Sequence, residues 1–320
     1  MYNITFLLHY ITKGRISLKK LNDGYAKIIT DETLRETISH GSEEYPFRYY
    51  YEDIWLFDLH CIDWHWHPEV ELVLVEKGTA DFLVGSSRYV LNAGEAIFIN
   101  TQVIHRFESS ASAIIPNMVF SPLIIAAESS LIYRKYIMPV LKSSVECLII
   151  SPTDENQCEM LDTIRNVFAI QESESISELK TAELIMNLWG QIYESINRND
   201  TQNTTKTSAQ AQAQLQIMMQ YIHKNYYSRI TLEDIARTVS ISKSSVLNIF
   251  KSYLHTSPIN YALEYRLKRA AKLLSETETG VSVIAQTAGF ENVGYFCRKF
   301  KALYGMTPKE YRDNRRSERK

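Results

Sequence analysis

The sequence predicts an α+β chain of more than one domain. An antiparallel β-barrel with a helical segment is expected first, then an all-α domain with two helix-turn-helix motifs. Three observations carry this expectation. The last third of the chain repeats one unit. Residues 70–100 break into short apolar runs separated by glycine-containing turns, the pattern of an antiparallel barrel or jelly roll. Charge is divided as well. The total of 35 Lys and Arg against 37 Asp and Glu hides 18 against 9 from Leu215 onward, and 17 against 28 before it. A chain of 320 residues with 45% apolar content is long enough for two ordinary cores with a helical segment between them.

Residues 1–44 read as an N-terminal appendage, without a clear motif over residues 1–30. Phe6-Leu7-Leu8 is too short, and too soon interrupted by His9, to be a signal peptide or a membrane span. The barrel is expected over about 45–120. Leu72–Val75, Ala80–Val84, Arg88–Leu91 and Ala96–Asn100 are its strands, with Gly78, Gly85 and Gly94 marking turns. Before them stands Ile62-Asp63-Trp64-His65-Trp66-His67-Pro68-Glu69-Val70-Glu71. His65, His67 and Glu71 share parity, so on one strand they would point to one side. His105 follows later.

This segment resembles the cupin barrel, whose metal-binding members use H-x-H-x-x-x-E and a later histidine, here His65, His67, Glu71 and His105. Two departures stand out. Leu59 occupies the place where the first motif of that family begins with glycine, and the proline of its second motif is missing. Three imidazoles and a carboxylate suit zinc, iron, nickel or manganese. Regulatory relatives instead keep such a pocket without metal and use it to hydrogen-bond a ligand. The expectation carried forward is a ligand site of His65, His67, Glu71 and His105, with Trp64 and Trp66 at its wall or rim and no cofactor or metal. Both tryptophans read equally well as core packing.

Residues 121–196 read as helical. Leu179, Ala182, Leu184, Ile185, Leu188, Trp189 and Ile192 form an apolar stripe that would either pair two subunits or pack on its own domain. Asn197–Gln214, NRNDTQNTTKTSAQAQAQ, is polar enough for a flexible linker, and its AQAQAQ end is able to join the next helix. Cys61, Cys147, Cys158 and Cys297 are scattered, with no C-x-x-C pair, which fits a reducing cytoplasm.

The repeat lies in the expected domain 215–316. Thr231–Tyr261 is TLEDIARTVSISKSSVLNIFKSYLHTSPINY, and Val281–Tyr311 is VSVIAQTAGFENVGYFCRKFKALYGMTPKEY. Ile235-Ala236 lies over Ile284-Ala285 and Ser240 over Gly289. Beyond the turn, Val246, Phe250, Pro258 and Tyr261 lie over Phe296, Phe300, Pro308 and Tyr311 with one extra residue in the second copy. Each copy reads as a short helix (Leu232–Val239; Val283–Ala288), a turn and a second helix. The motifs span about 232–253 and 282–303. Val246, Ile249, Phe250 and Tyr253 make a buried face in one, and Phe296, Phe300 and Leu303 in the other. Ser244, Asn248 and Lys251, then Gly294, Arg298 and Lys301, lie opposite. Two hairpins that merely pack a bundle would give part of this pattern, but not its duplication in a basic region. The final Arg312, Arg315, Arg316, Arg319 and Lys320 suit phosphate contact or a solvated end equally.

Residues 217–316 resemble the two-motif DNA-binding domain of AraC/XylS-type transcriptional regulators. The matching elements are Ser257-Pro258, Tyr261, Arg266, Ala270, Lys272-Leu273-Leu274, Ile284-Ala285, Gly289-Phe290, Phe296, Arg298, Phe300-Lys301, Gly305-Met306-Thr307-Pro308 and Tyr311-Arg312. The resemblance implies a central helix, about Pro258–Ser275, spacing two recognition helices into successive major grooves. It places base reading at Ser244, Ser245, Leu247 and Asn248, then at Val293, Gly294, Tyr295, Cys297 and Arg298. Leu247 and Val293 stand where relatives often carry polar residues. It further implies a cytoplasmic, ligand-responsive regulator, not an enzyme, whose effector would be a carbohydrate or its metabolite. The expected partners are operator DNA, a second subunit and, for an activator, RNA polymerase, with no membrane. The alternative is a metal-dependent cupin dioxygenase or isomerase fused to a DNA-binding domain.

Overall fold

The computed structural model describes residues 28–173, 177–199 and 207–317. The readings made on residues 1–27 and on the middle of the linker, 200–206, lie outside these. Packing separates two units. One holds described residues 28–29, 35–173 and 177–199, and the other holds 30–34 and 207–317.

The first unit is built from two antiparallel sheets. In order along the chain the strands are β1 Phe47–Asp53, β2 Cys61–His65, β3 Val70–Leu74, β4 Thr79–Val84, β5 Ser87–Asn92, β6 Ala96–Ile99, β7 His105–Glu108, β8 Ile114–Phe120 and β9 Cys147–Ile150. One sheet has the order β1-β8-β3-β6-β9, the other β2-β7-β4-β5. Alternation along each strand sends one set of side chains into the barrel. Val73, Ile97, Ile99 and Ile115 of the first sheet meet Ile62, Phe82, Val84 and Phe107 of the second in one apolar cluster. Pro116 sits in a central strand, which a missing N–H normally forbids. The ladder of β8 with β3 stops at Asn117, so no bond to β3 is lost there.

The opposite face of the larger sheet presents Leu72, Leu74, Phe98, Met118 and Phe120 to two helices, α1 Glu155–Gln171 and α2 Glu178–Asn199. This corrects one expectation and bears on another that was left open. The barrel does not end near residue 120, because β9 pairs with β6 from inside the stretch read as helical. The run Cys147-Leu148-Ile149-Ile150 packs apolar side chains on both faces, Leu148 and Ile150 against the helices and Cys147 and Ile149 against the barrel interior, and shows no alternation, so periodicity gives no strand signal. Most of the α2 stripe follows the second of its two readings and packs on its own domain, while Leu179 at its start is exposed. Ile185, Leu188, Trp189 and Ile192 pack on the sheet, and the Trp189 indole N–H donates to the Tyr136 carbonyl at 3.0 Å.

The second unit is helical: α3 Thr207–Asn225, α4 Leu232–Thr238, α5 Lys243–Leu254, α6 Pro258–Glu276, α7 Val281–Thr287, α8 Val293–Tyr304 and α9 Pro308–Ser317. The AQAQAQ run lies inside α3, so the linker is shorter than its composition suggests. The repeat is visible in the backbone. Ser240 and Gly289 both take the left-handed conformation, at φ 54° and 83°. Ser242 and Asn292 then cap α5 and α8 by accepting from the amides of Ser245 and Tyr295. The extra residue of the second copy falls between turn and cap. The bounds of the two leading helices differ slightly from expectation. α4 ends at Thr238, with Val239 as its cap, and α7 begins at Val281, behind Gly280.

Candidate ligand site and DNA-binding surface

His65, His67, Glu71 and His105 do converge, but not because they share a strand. β2 ends at His65, the chain bends over residues 66–69, and Glu71 lies on β3 in the facing sheet. A bulge between Ile62 and His65 adds a residue to β2, so that Ile62 pairs with Phe107 and His65 with His105. Without it, strict alternation would turn His65 away from the inward face on which Ile62 lies. Glu71 sits opposite Ile99 and Val119, on the inward row that continues to Val73. All four side chains are buried, and one ligand atom from each lies within 4.8 Å of the others.

Their hydrogen bonds fix the chemistry. Nδ1 of His65 faces the Asp63 carbonyl at 2.8 Å, that of His105 the Val103 carbonyl at 2.8 Å, and that of His67 the Glu69 carbonyl at 3.3 Å. A carbonyl only accepts, so each Nδ1 carries the hydrogen and Nε2 of the neutral ring presents a lone pair. Burial, then the neighbouring His105, pushes His65 down to about 3, so this ring is neutral. Burial opposes ionisation of Glu71, but His105 and His67 outweigh it and hold the carboxyl well below its usual range. The Glu71 Oε2 atom stands 3.1 Å from His105 Nε2 and 3.4 Å from His67 Nε2. Two lone pairs therefore face a carboxylate, and a positive charge belongs between them, either a second proton or a metal ion.

A metal ion fits. Ligand atoms bound at about 2.1 Å around one ion stand roughly 3.0–3.5 Å apart at neighbouring positions, which matches both distances. The backbone carbonyls behind the three Nδ1 atoms are the outer partners that orient metal-binding histidines.

Trp64 is buried. Trp66 is half-buried with the Arg35 guanidinium over its ring. Neither joins the tetrad. Leu59, placed where glycine was expected, adopts φ 57°, which shows why that position favours glycine.

Several site residues escaped sequence reasoning. His40 donates from Nε2 to the Glu36 carboxylate at 3.1 Å and shares a hydrogen bond through Nδ1 with the Tyr50 hydroxyl at 2.8 Å, and its ring lies 5.2 Å from His67. Burial works against its cation, yet Glu36, and then Glu69 and Glu71, raise its pKa. Asn117 donates to Glu52 at 2.9 Å. Burial pushes Glu52 up to about 8 against that bond, with the charges of Glu71 and Glu36 adding to the effect. The legible signal was the alternation of Tyr50 and Glu52 within FRYYYED. Glu36 and His40 precede the strands and had none.

On the helical unit, Ser244, Leu247 and Asn248 of α5 and Gly294, Tyr295 and Arg298 of α8 are exposed. Ser245 is half-buried, and its hydroxyl lies 2.9 Å from that of the cap residue Ser242. Val293 and Cys297 differ from the expected reading positions, because both flank the core of their own motif and are half-buried against it. Each stands three residues before one of Phe296 and Phe300, which places it beside that stripe.

With this geometry in hand, the comparisons with known proteins are consistent. A family described as AraC-like ligand binding domain matches residues 54–189, and one described as helix-turn-helix domain matches residues 235–314. A ligand-binding barrel is thus joined to a tandem helix-turn-helix unit, the plan of a ligand-responsive transcription factor. The chain carries an AraC-like ligand-binding domain and a helix-turn-helix domain, and its relatives are HTH-type transcriptional regulators. It is similar to the HTH-type transcriptional regulator YdeC of Bacillus subtilis, 27% identical over 290 residues that cover 89% of this chain and 97% of that one. The melibiose operon regulatory protein of Escherichia coli is 25% identical over 254 residues, 78% of this chain and 82% of that one. Among solved structures, an AraC-type DNA-binding regulator from Chromobacterium violaceum is 32% identical over 33% of this chain and 96% of its own, with a TM-score of 0.32. No described helix is long and apolar enough to cross a membrane.

Proposed function

We propose that the chain is a cytoplasmic regulator, not an enzyme, in which a small molecule bound at the barrel cluster alters occupancy of an operator. The observation that carries this reading is the polar cluster itself. His65, His67, Glu71 and His105 are buried in a barrel where they adjoin the apolar cluster of Val73, Ile97 and Phe107, with Asn117 and Glu52 as further inward polar groups, and burying ionisable groups without a ligand to meet them is costly. The effector is a carbohydrate or its metabolite, a reading supported by the similarity to a protein named for melibiose. Ser244, Ser245, Leu247 and Asn248 of α5, with Gly294, Tyr295 and Arg298 of α8, are the base-reading set, and Val293 and Cys297 lie at its edge. The protein acts as a homodimer through a surface other than the α2 stripe, and an activator would add RNA polymerase as a partner.

The lone pairs of His67 and His105 facing Glu71 favour a second reading of the same residues, in which the tetrad holds a divalent ion. Such an ion supplies a Lewis-acid anchor for a ligand oxygen, while the carbonyl-tied imidazoles hold its position.

The full chain, stripped with chelator and titrated with Zn²⁺ or Mn²⁺ by calorimetry, should take one ion, and His67→Ala should take none. Operator binding by the wild type should respond to the effector, and that response should be lost with His67. If the variant is less stable but has no ion to lose and keeps its response, the cluster is core packing and leaves the functional account. Stoichiometric iron with turnover of a small substrate would make the protein an enzyme.

A further inference from the structure

α5 and α8 hold equivalent places in the two motifs, yet the faces they expose differ in chemistry. The exposed face of α5 presents the uncharged Ser244, Leu247 and Asn248 over its first half, with Lys251 exposed about one turn further on. The cation at its start, Lys243, is held by Glu233 of α4 at 2.9 Å. α8 exposes Arg298 and Lys299, and neither α7 nor α8 carries an acidic residue. A single exposed leucine is ordinary on a protein surface. Leu247, however, is 42% exposed at the middle of a polar face, on a helix whose Val246, Phe250, Tyr253 and Leu254 are all buried. A Cβ at Gly294 would stand 3.2 Å from the Asn292 Oδ1 that caps α8, a tight approach, and 3.8 Å from the Arg298 guanidinium, an ordinary contact.

Each exposed side chain matches one base edge. Asparagine bonds adenine at N6 and N7, an aliphatic group covers the thymine methyl, and arginine bridges guanine O6 and N7. An A·T pair offers both features that the neighbours Leu247 and Asn248 can read. We infer that the operator is composite: an A·T block under α5, read by Leu247 and Asn248, and a block under α8 that holds a guanine read by Arg298. This rests on α5 and α8 being the base-reading helices.

The test is selection by the full-length protein from a duplex library with about two randomised helical turns. Enriched sequences should contain an A·T block and a G·C-bearing block whose centres lie about 10 base pairs apart. All three side chains are exposed, so their truncation leaves the cores intact. Asn248→Ala should flatten preference in the A·T block alone, and Arg298→Ala at one G·C position alone, each by about 5- to 150-fold. Replacing the contacted thymine by uracil should weaken wild-type binding about fourfold, the worth of one buried methyl, and should leave Leu247→Ala unaffected. Guanine enriched in both blocks, an indifferent response to uracil, or an Arg298→Ala loss equal on every sequence would overturn the inference. Failure to enrich any sequence would instead remove the base-reading role of both helices.

Discussion

The two helix-turn-helix motifs share a frame but not the means of holding it. The second uses glycine where the backbone turns left-handed, Gly289 at φ 83° and Gly305 at φ 73°, while the first uses Ser240 at φ 54° and His255 at φ 51°. At Gly289 the close approach leaves no choice, since a Cβ would stand 2.5 Å from the Tyr226 carbonyl oxygen. The cores differ too. Phe290, Phe296, Phe300 and Tyr311 form an aromatic cluster in the second motif, with the Tyr304 ring stacked on Phe300. The first leans on α3, whose Leu215, Met218, Met219 and Ile222 are buried, and on Phe250 packed edge-on to Tyr261. Beside that pair lies a buried titratable group. His223 is 2.8 Å from the Tyr261 hydroxyl and 2.9 Å from the Glu32 carbonyl, and it stacks on Tyr265. A duplicated unit can therefore keep its backbone while one copy stays apolar and the other takes on a pH-sensitive brace.

The largest test of this difference is deletion of the equivalent rings. Phe250 and Phe300 are both fully buried, and truncating either to alanine should cost about 3–5 kcal/mol. Hydrogen exchange should show Phe250→Ala opening α4 and α5 and Phe300→Ala opening α7 and α8. If each substitution opened both motifs equally, the two would be one cooperative core and the contrast would lapse.

Acid should separate the motifs next. Burial is the leading cause that lowers His223 to about 4 from an ordinary 6.5, the Glu32 carbonyl opposing and the charges of Lys268 and Arg269 assisting. Above pH 6.5 the ring is neutral folded and unfolded, so its contribution is fully present. As pH falls from 6.5 towards 4, the unfolded chain takes the proton first and stability is lost, by about 3 kcal/mol over that window. Protection of α4 and α5 should decline there and that of α7 and α8 should not, and His223→Gln should remove the difference. A decline shared by both motifs would assign the acid sensitivity elsewhere.

The helical unit was largely legible because its signals are local. The turn residues Ser240 and Gly289 and apolar residues three and four apart belong to single motifs. The barrel was legible only in part. Its four strands between Leu72 and Ile99 follow one another with glycine turns, but β1, β8 and β9 are defined by long-range pairing and have no turn signal between them. The tetrad was found by motif spacing with the wrong geometry behind it, since a bulge and a change of sheet, neither visible in parity, bring His65 opposite Glu71. Glu36 and His40 were missed because a segment outside the barrel reaches the site only through tertiary contacts.

The smallest effect sharpens the comparison at its turn. Ser240 is exposed, and its left-handed backbone costs a residue with a Cβ about 1–2 kcal/mol. Ser240→Gly would relieve that strain but add freedom to the unfolded chain, worth about 0.5–1 kcal/mol in the other direction. The net expectation is a first motif more stable by about 0.5–1 kcal/mol, read as a higher denaturation midpoint with an unchanged denaturant slope. The slope matters because a change in it would mean that the unfolded or native state itself had altered its compactness. A midpoint that stayed put or fell would mean that the strain at Ser240 is offset by its surroundings, and the two turns would then differ in sequence without differing in energy.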